Sequence, residues 1–346
     1  MTIDLAGAGD TDGTTVLPGR RRGLPTIALV PLAGVTWWLT GFVWWIVELV
    51  GSNIMTVNGY PRAALPLLAA SSTDALVVSC VVGGVAAGLV GLLGRGRRVP
   101  RLVAVVAGVA LALALALVQS RSAFASGGAD GQTTDPRVTG GLSVLVVVVT
   151  VAAALLGAAS LAGRPGRGLA LAAAAGAAPL WLFEVVSSLS QTTAFDGSID
   201  GPARWSGAVV LAVGLATIGI RPVVRLALWP VAVLLAWVVA PTATASGYFA
   251  TSLSRGPRSA ALVQEYLSTA GQVWRQAVEP GQRPLAPWIA AIVVAGVLAW
   301  VLDRRRPRDE QVDRRDDEPR LHPGPPTLAV PTAEPARSDP SAAAWP

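Results

Sequence analysis

Apolar positions run in long blocks along most of this chain, and polar positions are confined to short breaks between them. A helix needs about 20 mostly apolar residues to cross a bilayer, and unpaired backbone cannot be left facing lipid. Eight blocks meet that requirement, at roughly 25–50, 74–94, 101–119, 141–163, 168–188, 205–220, 223–245 and 286–302. The predicted fold class is all-α, a polytopic transmembrane helix bundle of about eight spans. The sixth and eighth blocks are short, and the sixth meets the seventh at a tight Arg221-Pro222 turn. The first block is longer than the apolar core of a signal peptide and no small-x-small cleavage site follows it. It is expected to be retained as a helix.

The segment at about 246–285 carries a different period. Leu262, Val263, Tyr266, Leu267, Ala270, Val273, Trp274, Ala277 and Val278 recur at helical spacing, with Gln264, Glu265, Ser268, Gln272, Arg275 and Gln276 opposite them. This predicts an amphipathic helix at 259–279, lying in the outer headgroup layer or serving as a lid or docking surface. The loop after the first block is also apolar at Ala63-Ala64-Leu65-Pro66-Leu67-Leu68 and is expected to fold back onto the bundle. Residues 1–24 and 304–346 are rich in Pro, acids and Arg, with almost nothing to bury, so two disordered cytoplasmic tails should flank a bundle at 25–303. Pro323-Gly324-Pro325-Pro326 would suit polyproline II, although a plain solvated tail weighs more heavily.

Composition excludes a soluble enzyme. Of the 346 residues, 52% are apolar and 14% charged, with a mean hydropathy of +0.55, against about 25% charged in a soluble domain. The net charge of +6 arises from 27 Arg and no Lys against 21 acids. Arg without Lys, beside abundant Ala, Gly and Pro, suggests a high-GC genome such as an actinobacterium's. With the N-terminus inside, 19 of the Arg fall in the N-tail, in the breaks at 95–101, 164–167 and 221–225, and in the C-tail. The other eight are Arg62, Arg121, Arg137, Arg204, Arg255, Arg258, Arg275 and Arg283. Cytoplasmic loops retain positive charge, so the expected location is a plasma membrane with both termini cytoplasmic. The cations face anionic lipid, the implied partner, and nucleic acid is not expected.

An internal repeat is suggested but competes with composition. Trp44-Trp45-Ile46-Val47-Glu48-Leu49-Val50 and Leu180-Trp181-Leu182-Phe183-Glu184-Val185-Val186 each place a Trp three residues before a Glu, near the outer end of the first helix of a four-helix half. The outer loops echo one another through Pro61-Arg62, Pro136-Arg137, Pro202-Ala203-Arg204 and Pro257-Arg258. Duplication would give a parallel 4+4 arrangement, whereas turn chemistry alone would also supply such dipeptides.

Ionisable groups inside spans are few: Glu48, Glu184 and, at the mouth of the second span, Asp74. Such groups are costly and point to function by default. Glu48 and Glu184 read either as acids reaching the interface beside Trp anchors, or as a carboxylate pair facing the interior, matched by Arg62 or Arg204 and able to take a cation or proton. Trp37, Trp38, Trp44 and Trp45 form two adjacent stripes, best explained by packing or lipid contact. Gly84 and Gly88 in the second span, and the Ala/Gly run 172–178 in the fifth, allow close helix approach. Cys80 reads as a small apolar side chain.

Several chemistries are missing from the sequence. The single His, His322, lies in the C-tail, which removes a haem ligand pair, a His-based zinc site and Ser-His catalysis. No phosphate-binding Gly-Lys loop occurs, and residues 51–73 hold no acid, so the acidic pair that lipid-linked glycosyltransferases place in the first outer loop is absent. No cofactor, metal or catalytic residue is expected. The leading expectation is a non-enzymatic accessory or scaffold component of a cell-envelope process, binding membrane or envelope proteins through its outer loops and C-tail. The alternative is a small transporter or permease subunit with an outward-facing carboxylate site at Glu48 and Glu184. An intramembrane enzyme ranks third.

Overall fold

A computed structural model describes residues 23–51, 56–57, 60–61, 63–66, 72–125, 136–190, 200–255 and 259–304. The tails before 23 and after 304, Arg62, Leu67-Leu68 and Pro257-Arg258 lie outside those residues. The described chain is helical apart from short loops and a two-residue antiparallel pair, β1 (Thr56–Val57) and β2 (Tyr60–Pro61). The helices are α1 (Leu29–Gly41), α2 (Val43–Gly51), α3 (Thr73–Val90), α4 (Arg98–Ala125), α5 (Pro136–Ala158), α6 (Arg164–Ser190), α7 (Asp200–Ile218), α8 (Leu228–Arg255), α9 (Ala260–Val278) and α10 (Ala286–Arg304). Among the described residues, seven helices are long and apolar enough to cross a membrane, and eight spans are reached when α1 and α2 count as one.

The helix ends gather by sequence parity. Leu24 N–H bonds the Leu93 carbonyl at 2.9 Å and Arg95 N–H bonds the Leu24 carbonyl at 3.0 Å, so the chain just before α1 lies against the end of α3. Residues 23–24, expected to belong to the tail, are therefore paired with the loop at 93–95. Leu161, just beyond α5, lies against Gly91, and Ile218 at the end of α7 lies against Gly168 at the start of α6. One end of the bundle thus collects Arg95, Arg97, Arg98, Arg101, Arg164, Arg167 and Arg221. We call it the arginine end.

Between helices in lipid there is no water to drive apolar surfaces together, so packing depends on how closely backbones approach. Glycine sets that distance. A methyl group on Gly88 of α3 would come within 2.5 Å of Gly157 of α5, and one on Gly83 within 2.5 Å of the Trp37 carbonyl of α1. The Ala/Gly run of α6 serves the same purpose, with Ala172, Ala173, Ala175 and Ala177 all buried. A Cβ on Gly176 would strike the α8 backbone at Ala236.

The first span departs from the straight helix that its 25–50 hydropathy block predicts. It breaks at Phe42, where φ is −114° and ψ 27°, and α2 leaves α1 at 75°. The amphipathic helix is where the periodicity placed it, and its apolar stripe is the half-buried one: Leu262, Val263, Tyr266, Ala270, Val273, Trp274, Ala277 and Val278. Leu267 is the exception, at 61% exposed. This helix folds back antiparallel to α8, joined by Trp274 Nε1 to Thr242 Oγ1 at 3.2 Å and by Trp237 Nε1 to the Val278 carbonyl at 2.8 Å. Its apolar stripe is therefore covered at least partly by protein.

The two sets of four spans pair alike in part. The first helix of each set, α1 or α6, packs on the next two, α3 and α4 or α7 and α8. The fourth helices differ: α5 seats tightly on α3 through glycine, whereas α10 touches the bundle sparingly through Ala291, Ala295 and Ala299.

Gly88→Ala should lower stability in detergent by about 1–3 kcal/mol, since an extra methyl in a filled contact forces backbone shifts. Gly140→Ala, where a Cβ meets nothing within 4 Å, should be neutral or stabilising by up to about 1 kcal/mol. Thermal unfolding of the two variants side by side checks this difference.

Candidate functional site

The break in the first span is held by indoles. Trp181 of α6 donates its Nε1–H to the Gly41 carbonyl at 3.1 Å. An unbroken helix would give that carbonyl to the amide of Trp45, four residues on. Trp44 Nε1 bonds Ser79 Oγ of α3 at 2.9 Å, while Trp38 and Trp45 bond the carbonyls of Ala64 and Ala63 at 2.7 and 2.8 Å. The expected fold-back of the first loop is seen at 63–66, where Leu65 is fully buried. Trp37 is also fully buried, edge-on to Phe42 at 5.2 Å, and its Nε1 has no partner among the described residues. These four Trp residues pin the bent helix to α3 and the loop. They do not form an interfacial belt.

The bend turns Glu48 inward. Glu48 lies four residues after Trp44 and three after Trp45, so it shares their face of α2, and both Trp residues are at most 5% exposed. On α6, Glu184 lies three residues after Trp181 and one before Val185, which packs against the core that contains Trp44 and Trp45. Both residues are half-buried. A third acid joins them. Asp74, in the first turn of α3, accepts the Ala75 N–H at 2.9 Å, and Gly247 of α8 packs against it, with room for a Cβ only 3.3 Å from its own. α6, which carries Glu184, packs against both α2 and α3. Acids of α2, α3 and α6 thus lie on helices in contact with one another, with α8 alongside. No three Asp, Glu, His or Cys side chains among the described residues are arranged to hold a metal ion.

The two cations expected to match the glutamates are not brought into this cluster by the described residues. Arg62 lies outside those residues. Arg204, in α7, lines a separate cavity of about 210 Å³ between α6, α7, α8 and the start of α10. Arg283 lines the same cavity, and its Nη1 donates to the Trp237 carbonyl at 2.9 Å while its guanidinium lies 4.8 Å over the Trp237 ring.

In the sequence, Glu48 and Glu184 stand out as a pair and Asp74 stands alone. Asp74 opens the helix that follows α2, which places it at the same end as Glu48. Arg283 is one of the eight non-cytoplasmic Arg by charge, and its position between Pro280 and Pro284, immediately before a span, is the cue that separates it. Comparison with models of known families, with curated proteins and with solved structures finds no match, so the reading rests on the chain's own geometry.

The cluster predicts non-additive stability. Glu48→Gln and Glu184→Gln should each raise the unfolding temperature by relieving like charge. The second substitution should add less than the first, a coupling that a double-mutant cycle measures.

Proposed function

We propose that this chain is a small membrane transporter or permease subunit whose inward-facing acids Glu48, Asp74 and Glu184 take up a proton or hydrated cation. The observation that carries this reading is the convergence of three acids from α2, α3 and α6 beside a broken span. Intramembrane acids are retained at a cost and recur on ion pathways. Interrupted helices recur in transporters, where substrate and ion sites form at the break. Neither feature is needed to fill a lipid-facing surface. An accessory role in an envelope process, made through the outer loops, α9 or the C-tail, has no feature of like specificity behind it.

The proposal includes a topology. The arginine end faces the cytoplasm, as the positive-inside bias requires, with both termini on that side and the acidic cluster opening toward the other face of a plasma membrane. The matching pairings of α1 and α6 with their next two helices support a parallel 4+4 duplication.

Reconstituted in liposomes with an internal pH dye, the full-length protein should move protons or a coupled monovalent cation. Glu48→Gln with Glu184→Gln should cut that flux at least tenfold while the protein stays folded. Wild-type flux in the double variant would sink the reading and return the accessory role to first place. Topology is checked separately. Cys80 is the single cysteine and is buried, so cysteines introduced at the exposed positions Arg97 and Gly281 report their side cleanly. Gly281→Cys should react with an impermeant maleimide on whole cells, and Arg97→Cys only after permeabilisation.

A further inference from the structure

The cavity holding Arg204 and Arg283 is chemically unlike the acidic cluster. Its walls are small and apolar: Ala175, Gly176 and Pro179 of α6, Ala208 and Leu211 of α7, and Ala236 and Ala240 of α8, closed by Trp288 of α10. It lies at the start of α10, which touches the bundle sparingly through Ala291, Ala295 and Ala299. Two turns of α7 separate Arg204 from Leu211, about 10 Å of apolar wall below one cation.

The second cation is held in place. Arg283 is half-buried, and burial lowers its pKa from the ordinary arginine value. Guanidinium nonetheless remains charged in proteins. Its bond to the Trp237 carbonyl and its seat over the indole, which is itself edge-on to Trp288 at 4.8 Å, fix its direction. A guanidinium has five N–H donors in a planar fork suited to phosphate or carboxylate oxygens, and the carbonyl takes one of them.

The surroundings indicate where an occupant comes from. The cavity is open beside Arg204 and Pro284, both exposed. The next residues along each helix are bare and apolar: Val209 and Val213 on α7, and Ile289 and Val293 on α10, at 46–61% exposed. That is lipid-facing surface. An apolar cavity of about 150 Å³ inside a protein already accepts a benzene-sized guest, and one opening onto lipid is filled by lipid chains.

We propose that the cleft between α6, α7, α8 and α10 binds an anionic phospholipid of the surrounding bilayer, its phosphate held by Arg204 and Arg283 and one acyl chain in the apolar cavity. The proposal is independent of the acidic cluster's role. Native mass spectrometry of the full-length protein, released from detergent with equal phosphatidylglycerol and phosphatidylcholine, measures it directly. Phosphatidylglycerol should be retained at least tenfold in preference. Arg204→Gln with Arg283→Gln should remove the preference, and Ala208→Trp should expel the lipid by filling the cavity while both Arg remain. Because Arg283 also braces Trp237, Arg204→Gln alone is measured as a second variant, with its fold checked by circular dichroism; it should cut the preference several-fold. Unchanged preference in Arg204→Gln, or undiminished retention in Ala208→Trp, would overturn the proposal. Glycerol phosphate added in excess should not displace the lipid. If it did, the site would be one for a soluble anion and the lipid assignment would fall.

Discussion

Close backbone contact is the constraint on which the rest of this bundle depends. Lipid competes for apolar side chains as well as another helix does, so association has to come from contact distance and from polar groups satisfied inside the protein. The chain meets the first need with glycine and alanine at its crossings. At Gly83 and Gly88 of α3 the neighbouring backbone occupies the place where a Cβ would stand. That makes α3 the hub: α1, α5, α6 and α8 all lean on it. It is also the most enclosed span, with 72% of its apolar window buried.

Helices brought this close leave little space for polar groups, and the tryptophans manage what remains. Each bonded indole in the first span ends on a backbone carbonyl or on Ser79, so each ring fills volume and satisfies a donor at once. The bond from Trp181 to Gly41 does more, because it occupies a carbonyl that a continuous helix would use. Backbone bonding lost at the break is thereby recovered from a neighbouring helix, which is the condition for breaking a helix within a membrane protein. The direction of α2, and so the position of Glu48, follows from a contact made by a residue 140 positions away.

Much of the architecture was legible in the sequence because its causes are local. Hydropathy marked every span, although α4 and α8 run about six and ten residues past the blocks that end at 119 and 245, and the 3.6-residue period marked α9 together with its buried stripe. Glu48 and Glu184 stood out because charge is rare in apolar blocks. The unforeseen features depend on contacts between distant residues. Nothing between 25 and 50 signals the break at Phe42, since Gly41 is as compatible with a helix crossing as with a kink, and the indole that favours the kink belongs to α6. Arg204 stands out in the sequence as a match for the glutamates because it precedes an apolar block at the same end; it belongs to α7 and lines the cavity between α6, α8 and α10. The docking of α9 on α8 was hidden for a related reason, since an apolar stripe has the same period whether lipid or another helix covers it.

The loose seating of α10 also sets that helix apart mechanically. α5 is wedged against the hub, and α7 and α8 are each held on α6 through glycine, at Gly168 and Gly176. α10 instead borders free volume bounded by small side chains, so it can give way without opening a glycine contact. Its first turn closes the cavity at Trp288. A small movement there would widen or narrow the space below Arg204 and Arg283 while the helices that carry the acids stay seated.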